Sequence, residues 1–269
     1  MKNSVVISLT NEYQRRQHIN TLFKEYELDF EYFNAINKQQ VIDTLEKYHL
    51  SVTDEKLSQG EVACYLSHYC LWQRVVEEEL PYLMIFEDDI YFSKSAKILL
   101  TQLEWLPRKF DVIKLETVYD RVIINKGAPL ILGHMLCQMQ SRHMGMGGYI
   151  ISQQGAKKLL AMTIELGIDR PVDHLIFDRL IGQKNSSVHQ VFPAICIQDI
   201  VYNKDSVRFT SALEDTRKRS EVAKRKKYGF EKMSKETTRV FKQLLPKNIY
   251  KTGWLFIKGY KKQKITYIE

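Results

Sequence analysis

Three consecutive carboxylates, Glu87-Asp88-Asp89, end the apolar run Pro81-Tyr-Leu-Met-Ile-Phe86. Charge is costly to bury unless something compensates it, so acids closing a buried strand point to a metal ion or a polar ligand. The competing reading is a strand that simply runs out into a solvated turn. Hard oxygen donors of this kind suit Mn2+ or Mg2+, with phosphate oxygens completing the shell. A cation held there would offset charge developing on a departing diphosphate. Neighbouring strand residues point to opposite faces, which predicts that Asp88 and Asp89 address different groups.

Other polar residues are weaker signals. Glycines 145, 147 and 148 allow close backbone approach to a sugar. They do not form GxGxxG, and no GxxxxGK[ST] loop occurs, so dinucleotide-binding and P-loop kinase chemistry lose support. His143, His174 and His189 are possible metal ligands, but their spacing singles out none of them.

The acids need elements to position them. Val5–Leu9 reads as a buried first strand, and Asn11 with Gln14 resembles a capping box opening a helix through Tyr26. Phe30–Ile36 reads as a second strand. Ser58-x-x-Glu61 opens a second helix, with Val62, Tyr65, Tyr69, Trp72 and Val76 on one face, which Pro81 stops. Strands follow at 82–86, 111–115 and 149–151, and Ser152 caps a helix from 153 to about Met162. Alternating strands and helices predict an α/β fold with a mainly parallel sheet. Ligands collect at the carboxyl ends of such strands, and Ser8–Thr10, Glu87–Asp89 and Glu116 all fall there.

A chain of 269 residues, 44% hydrophobic and 27% charged, buries a large core. Val5-Val6-Ile7 is too short for a signal-peptide core, and no apolar run reaches membrane-spanning length. Cys64, Cys70, Cys137 and Cys196 form no CxxC pair and read as core thiols of a reduced, cytoplasmic protein.

The net charge of +8 is unevenly spread. Residues 217–269 carry 17 Lys/Arg against 4 Glu, or +13, which leaves −5 for the rest. This split predicts a catalytic domain over 1–210 and a basic, aromatic-containing, helical segment over 211–269 with a polyanionic partner. The candidates are nucleic acid and an anionic membrane surface, with Trp254, Phe256 and Tyr260 at the interface.

The ordered motifs Ile7-Ser-Leu-x5-Arg15-Arg16, Phe33-Asn-Ala-Ile36, Leu57-Ser-x-Gly60-Glu-x-Ala-Cys64-x-x-Ser67-His68 and Met84-Ile-Phe-Glu87-Asp-Asp89 resemble glycosyltransferase family 25. Asp111-Val-Ile-Lys-Leu115, Gly148-Tyr-Ile-Ile-Ser152 and Arg170-Pro171-Val-Asp173 continue the pattern to about residue 200. The resemblance implies a GT-A-like nucleotide-sugar-binding fold and an inverting transfer of galactose from UDP-galactose to a terminal lipooligosaccharide sugar. Glucose or N-acetylgalactosamine are alternative donor sugars. It implies Mn2+ (or Mg2+) at Asp89, the outer acid of a DxD-like motif whose first position here is Glu87. Ser8, Leu9, Arg15, Asn34, Ala35, Ser67, His68 and Asp88 become donor-site candidates. Arg15 and Arg16 suit a diphosphate or a solvated helix face, Asn34 and Ala35 a nucleoside pocket or a simple strand end, and His68 a phosphate or core packing. The base that deprotonates the acceptor hydroxyl is expected at Asp173, which could instead cap a helix, with Glu116 and Asp199 behind it. A lipid-linked acceptor favours the membrane as the basic segment's partner, on the inner face of the cell membrane, with no nucleic acid expected.

Overall fold

Strands that are apolar on both faces need cover on both. The computed structural model, which describes residues 3–204, 206–209, 255 and 257–269, supplies that cover with helices. The chain runs β1 (Ser4–Ser8), α1 (Tyr13–Glu25), β2 (Glu31–Asn34), α2 (Val41–Lys47), α3 (Gln59–Glu77), β3 (Tyr82–Glu87), β4 (Ile90–Phe92) and α4 (Ala96–Thr101). It continues through β5 (Val112–Lys114), β6 (Arg121–Ile124), β7 (Ala128–Pro129), β8 (Met135–Gln138), β9 (Gly148–Ser152) and α5 (Gln153–Leu166). Then follow α6 (Val172–His174), β10 (Val188–Phe192), β11 (Cys196–Gln198), α7 (Asp199–Tyr202) and β12 (Lys261–Lys264).

Eight strands form one sheet in the order β2-β1-β3-β9-β5-β10-β8-β7, while β11 pairs β4 and β12 pairs β6. Parallel neighbours are β1 with β2, β1 with β3, and β5 with β10. The sheet is mixed rather than plainly parallel. β9 is inserted antiparallel between β3 and β5, and β8 runs antiparallel to both β10 and β7. Within this sheet all strands except β8 and β9 nevertheless point the same way, so carboxyl ends still gather at one edge. The insertion brings the amino end of β9 to that edge, with Gly148 opposite Phe86.

Alternation along the strands builds two cores. Val5, Ile7, Leu83, Ile85, Val112 and Ile151 face the side covered by α3 and α5. Val6, Met84, Phe86, Ile113 and Ile150 face the side covered by α1 and α4. The connection from β1 to β2 passes through α1 on one face, and the return to β3 passes through α3 on the other. The crevice between β1 and β3 is thus a topological switch point, where open α/β sheets bind ligands.

Two of three expected caps form. Ser58 and Glu61 make the reciprocal box, and Ser152 accepts from the Gly155 amide. The Asn11 box does not form. A turn in which the Glu12 amide donates to the Leu9 carbonyl puts Glu12 at the N-cap, without a side-chain cap.

The chain divides into a unit of residues 1–209 with 262–269 and a second unit of 210–261. Most of the second, including the basic run expected to meet a membrane, lies outside the described residues. Residues 262–269 do not continue it; they belong to the first unit. Ile265 is fully buried, its amide donates to Asp120 and its carbonyl accepts from Thr117 Oγ1 at 2.9 Å. The Ala194 amide donates to the Thr266 carbonyl at 2.7 Å. Ile265→Ala is expected to cost about 2–5 kcal/mol, as for other buried aliphatic truncations. A chain ending at residue 261 is expected to lose more, and urea denaturation of both variants checks this.

Candidate active site

β3 delivers Glu87 to the sheet edge, and a turn carrying Asp88 and Asp89 leads into β4. The Glu87 amide donates to the Gly147 carbonyl, and the Asp89 carbonyl accepts from the Asp199 amide at 2.7 Å. Both aspartates are buried. Because they sit in a turn, the strand alternation expected of them does not apply, and both face Arg15 from the first turn of α1. Arg15 Nη1 lies 2.6 Å from Asp88 Oδ1 and 3.7 Å from Asp89 Oδ2. Gln198 Nε2 donates to Glu87 Oε2 at 2.6 Å and to Asp89 Oδ1 at 3.2 Å.

Negative charge here exceeds what Arg15 offsets. Burial, with Glu116 and Asp88 adding to it, pushes the Glu87 carboxyl up to about 8. Burial and then Glu87 push Asp89 up to about 7. A divalent cation would relieve this strain, and the oxygen donors of Asp89 and Asp88 fit Mn2+ or Mg2+.

A second acid, Glu116, lies two residues beyond β5 and is fully buried. Its Oε2 accepts from Lys114 Nζ at 3.0 Å and from the Gly147 amide at 2.8 Å, while Oε1 has no partner among the described residues. Lys114, equally buried, also donates to the Gly145 carbonyl and sits 4.2 Å from the Phe177 ring centre. The glycines make room for this carboxylate. Gly145 has φ +93°, and a Cβ there would lie 2.6 Å from Glu116 Oε1. A Cβ on Gly147 would lie 3.0 Å from Glu116 Cδ.

The structure gives the remaining candidates distinct places. Arg16 holds the strand ends together, donating to the carbonyls of Ser8 and Leu9 and to Asn34 Oδ1 at 2.7 Å. The Ala35 amide donates to the Ser8 carbonyl, so Ser8, Leu9, Asn34 and Ala35 lie together where β1 and β2 end. Ser67 ties α3 to the chain after β2: its hydroxyl donates to the Ala63 carbonyl and accepts from the Ile36 amide. His68 is fully buried, with Nδ1 at 2.9 Å from the Tyr149 hydroxyl and Nε2 at 3.8 Å from Glu87 Oε1.

Asp173 lies inside α6 rather than capping it, since Pro171 occupies the N-cap. Its Oδ2 accepts from the Gly145 amide at 3.3 Å and its Oδ1 from the His174 amide, which places it beside Glu116's glycine loop. Asp199 is unsuited to be a base. Burial alone would raise its pKa, but donors from Asn203, Phe209, Tyr91 and Arg208 outweigh it and lower the value. His143 binds Gln190 Oε1, and burial followed by Lys114 pushes it down to about 3. His189 lies within β10, paired with Gln138 of β8.

Gln198 and Lys114 were not among the sequence candidates. Lys114 left a trace, a lysine inside an apolar strand two residues before an acid and so on the same face. Gln198 left none, because its place depends on β11 pairing with β4.

Two outcomes are expected. Unfolded, Glu87 and Asp89 ionise near 4.5 and 3.8, but in the fold they keep their protons to about 8 and about 7. The unfolded chain therefore releases protons first, and stability falls as pH rises between those values. Metal-free Asp89→Asn is expected to lose less stability than the parent between about pH 5 and pH 8, read by thermal unfolding. Lys114→Met strands a buried carboxylate and is expected to cost about 3–5 kcal/mol, with Lys114→Met/Glu116→Gln recovering most of it in urea denaturation.

Known proteins resemble this chain over most of its length. A family model described as glycosyltransferase family 25 (LPS biosynthesis protein) matches residues 1–176. A Haemophilus influenzae "Putative glycosyltransferase" is 33% identical over 92% of this chain and 88% of its own length. From the same organism, "Lipooligosaccharide biosynthesis protein lex-1" is 34% identical over 83% of this chain and 85% of its own. "Lacto-N-neotetraose biosynthesis glycosyltransferase LgtE" of Neisseria meningitidis is 31% identical over 74% of this chain and 75% of its own. With an acid-lined crevice at the sheet's switch point and a match of this extent, the chain belongs to glycosyltransferase family 25.

Proposed function

We propose that this glycosyltransferase moves galactose from UDP-galactose to a terminal sugar of lipooligosaccharide, by inversion, on a GT-A-like donor site. The observation that carries this reading is the crowding of three carboxyls, Asp88 and Asp89 buried and Glu87 half-buried, beside the β1–β3 switch point, where two of them hold their protons well above the usual carboxylate range. The lipooligosaccharide and lacto-N-neotetraose names of the relatives support the acceptor class.

Asp89, with Asp88 beside it, holds the Mn2+ or Mg2+, which supplies positive charge against the diphosphate when bound. Arg15 keeps the acid turn in register from α1 and presents its guanidinium at the crevice mouth. Ser8, Leu9, Asn34 and Ala35 border the nucleoside side. Asp173 Oδ2 accepts the acceptor's hydroxyl proton as the new bond to the anomeric carbon forms and the bond to the diphosphate oxygen breaks, its electron pair leaving with UDP. The Gly145 amide holds that oxygen in place beforehand.

UDP release with manganese, UDP-galactose and a lipooligosaccharide core acceptor tests the proposal. Asp89→Ala is expected to abolish the manganese response in a folded protein, and full retained activity would remove the metal assignment. Asp173→Asn is expected to lower kcat by about 10²–10⁴-fold. Faster turnover of UDP-glucose or UDP-N-acetylgalactosamine would reassign the donor.

We also propose that the basic segment holds the enzyme on an anionic membrane surface. No helix among the described residues is long and apolar enough to cross a membrane, and the support is the charge of +13 over residues 217–269. Because residues 262–269 belong to the first unit, the test is an internal deletion that keeps them. Flotation with vesicles containing anionic lipid is expected for the full chain and not for the deletion. Salt-sensitive RNA binding by the full chain, with no flotation, would replace the membrane with nucleic acid.

A further inference from the structure

Beneath the acid turn lies a group of side chains, two of which have no part in the proposed transfer. Cys64 and His68 stand four residues apart on α3, so they share one face of the helix. Glu87 meets them from the end of β3. The Cys64 Sγ, a His68 ring nitrogen and a Glu87 oxygen all lie within 4.8 Å of one another.

His68 supplies the independent observation. It is fully buried, and its Nε2 has no hydrogen-bond partner among the described residues. That atom points at Glu87 Oε1 from 3.8 Å, too far for a hydrogen bond. A buried ring nitrogen left without a partner costs free energy. The other ring nitrogen, Nδ1, is already engaged by the Tyr149 hydroxyl at 2.9 Å, and that hydroxyl also accepts from Trp72 Nε1 at 3.1 Å. A histidine oriented through one nitrogen, with the other bare and facing a carboxylate, has the form of a metal ligand with its supporting partner. A thiolate, an imidazole and a carboxylate form a borderline-soft set, which selects zinc over manganese or magnesium.

We infer that Cys64, His68 and Glu87 bind one zinc-class divalent cation, at a site distinct from the oxygen-only donors of Asp88 and Asp89. The cation would fix Glu87 Oε1 while Gln198 holds Oε2, so both oxygens of the first acid would be positioned before donor binding. Its role is to position the acid turn rather than to take part in transfer.

The test reads binding, not turnover. The full-length protein, freed of metal by chelation, is titrated with Co2+ and followed by absorption. A thiolate-to-cobalt charge-transfer band is expected, absent in Cys64→Ala and present in Asp89→Asn. In parallel, site-resolved iodoacetamide labelling of half-buried Cys64 is expected to slow about tenfold or more when Zn2+ is added. Half-buried Cys70 serves as the internal control, unchanged by zinc. Tyr149→Phe is expected to weaken cobalt binding by about 10–100-fold, as for other second-layer partners. No charge-transfer band, a band that survives Cys64→Ala in a folded variant, or equal labelling with and without zinc would overturn the site. Loss of the band in Asp89→Asn would also overturn it, by merging the two sites into one. The donor-site reading stands or falls separately, on manganese-dependent UDP release.

Discussion

Too many carboxylates meet at one edge of the sheet, and the local architecture is shaped by the need to hold them there. Glu87, Asp88, Asp89 and Glu116 converge because the strands that carry them point the same way. Each is held by a group from a different part of the chain. Arg15 comes from α1, Gln198 from β11, Lys114 from β5 and the Gly147 amide from the loop before β9. These partners offset the charge without cancelling it. The residual repulsion is the strain that a functional site retains, and it explains why the fold spends a fully buried lysine on stabilising one acid.

The antiparallel insertion of β9 has the same origin. A purely parallel sheet brings only carboxyl ends to the ligand edge. Running β9 backwards brings its amino end there instead, and with it a glycine loop whose amides face the acids. Gly145 is small because Glu116 occupies the space a side chain would need, and Gly147 because Gln198 and Glu116 together do. Loop and acid therefore form one unit, and Asp173 is tied to it through the Gly145 amide.

Much of this was legible in the sequence. The period-two apolar runs, the Ser58–Glu61 box and the acids at a strand end are local signals, and each has a local cause. Arg15 was legible as a cation near the site, although its partner in the fold is Asp88. The direction of β9 was not, because nothing within Tyr149-Ile-Ile151 distinguishes a parallel from an antiparallel neighbour. Ser67's partners within the chain were hidden for a related reason, because nothing along a helix marks a serine that will meet the amide of Ile36. Gln198 and Ile265 depended on pairings across more than 100 residues, which no window along the sequence contains.

The slot filled by Ile265 bears on the order in which the protein is made. Domains generally fold from the amino terminus as synthesis proceeds, but this core has a vacancy until residues 262–266 have left the ribosome. The stretch before them, residues 210–261, is translated first, so the catalytic unit stays incomplete until that stretch has been made. Closure of the core is therefore coupled to completion of the chain, because a ribosome still within residues 210–261 has yet to make the isoleucine that fills the slot.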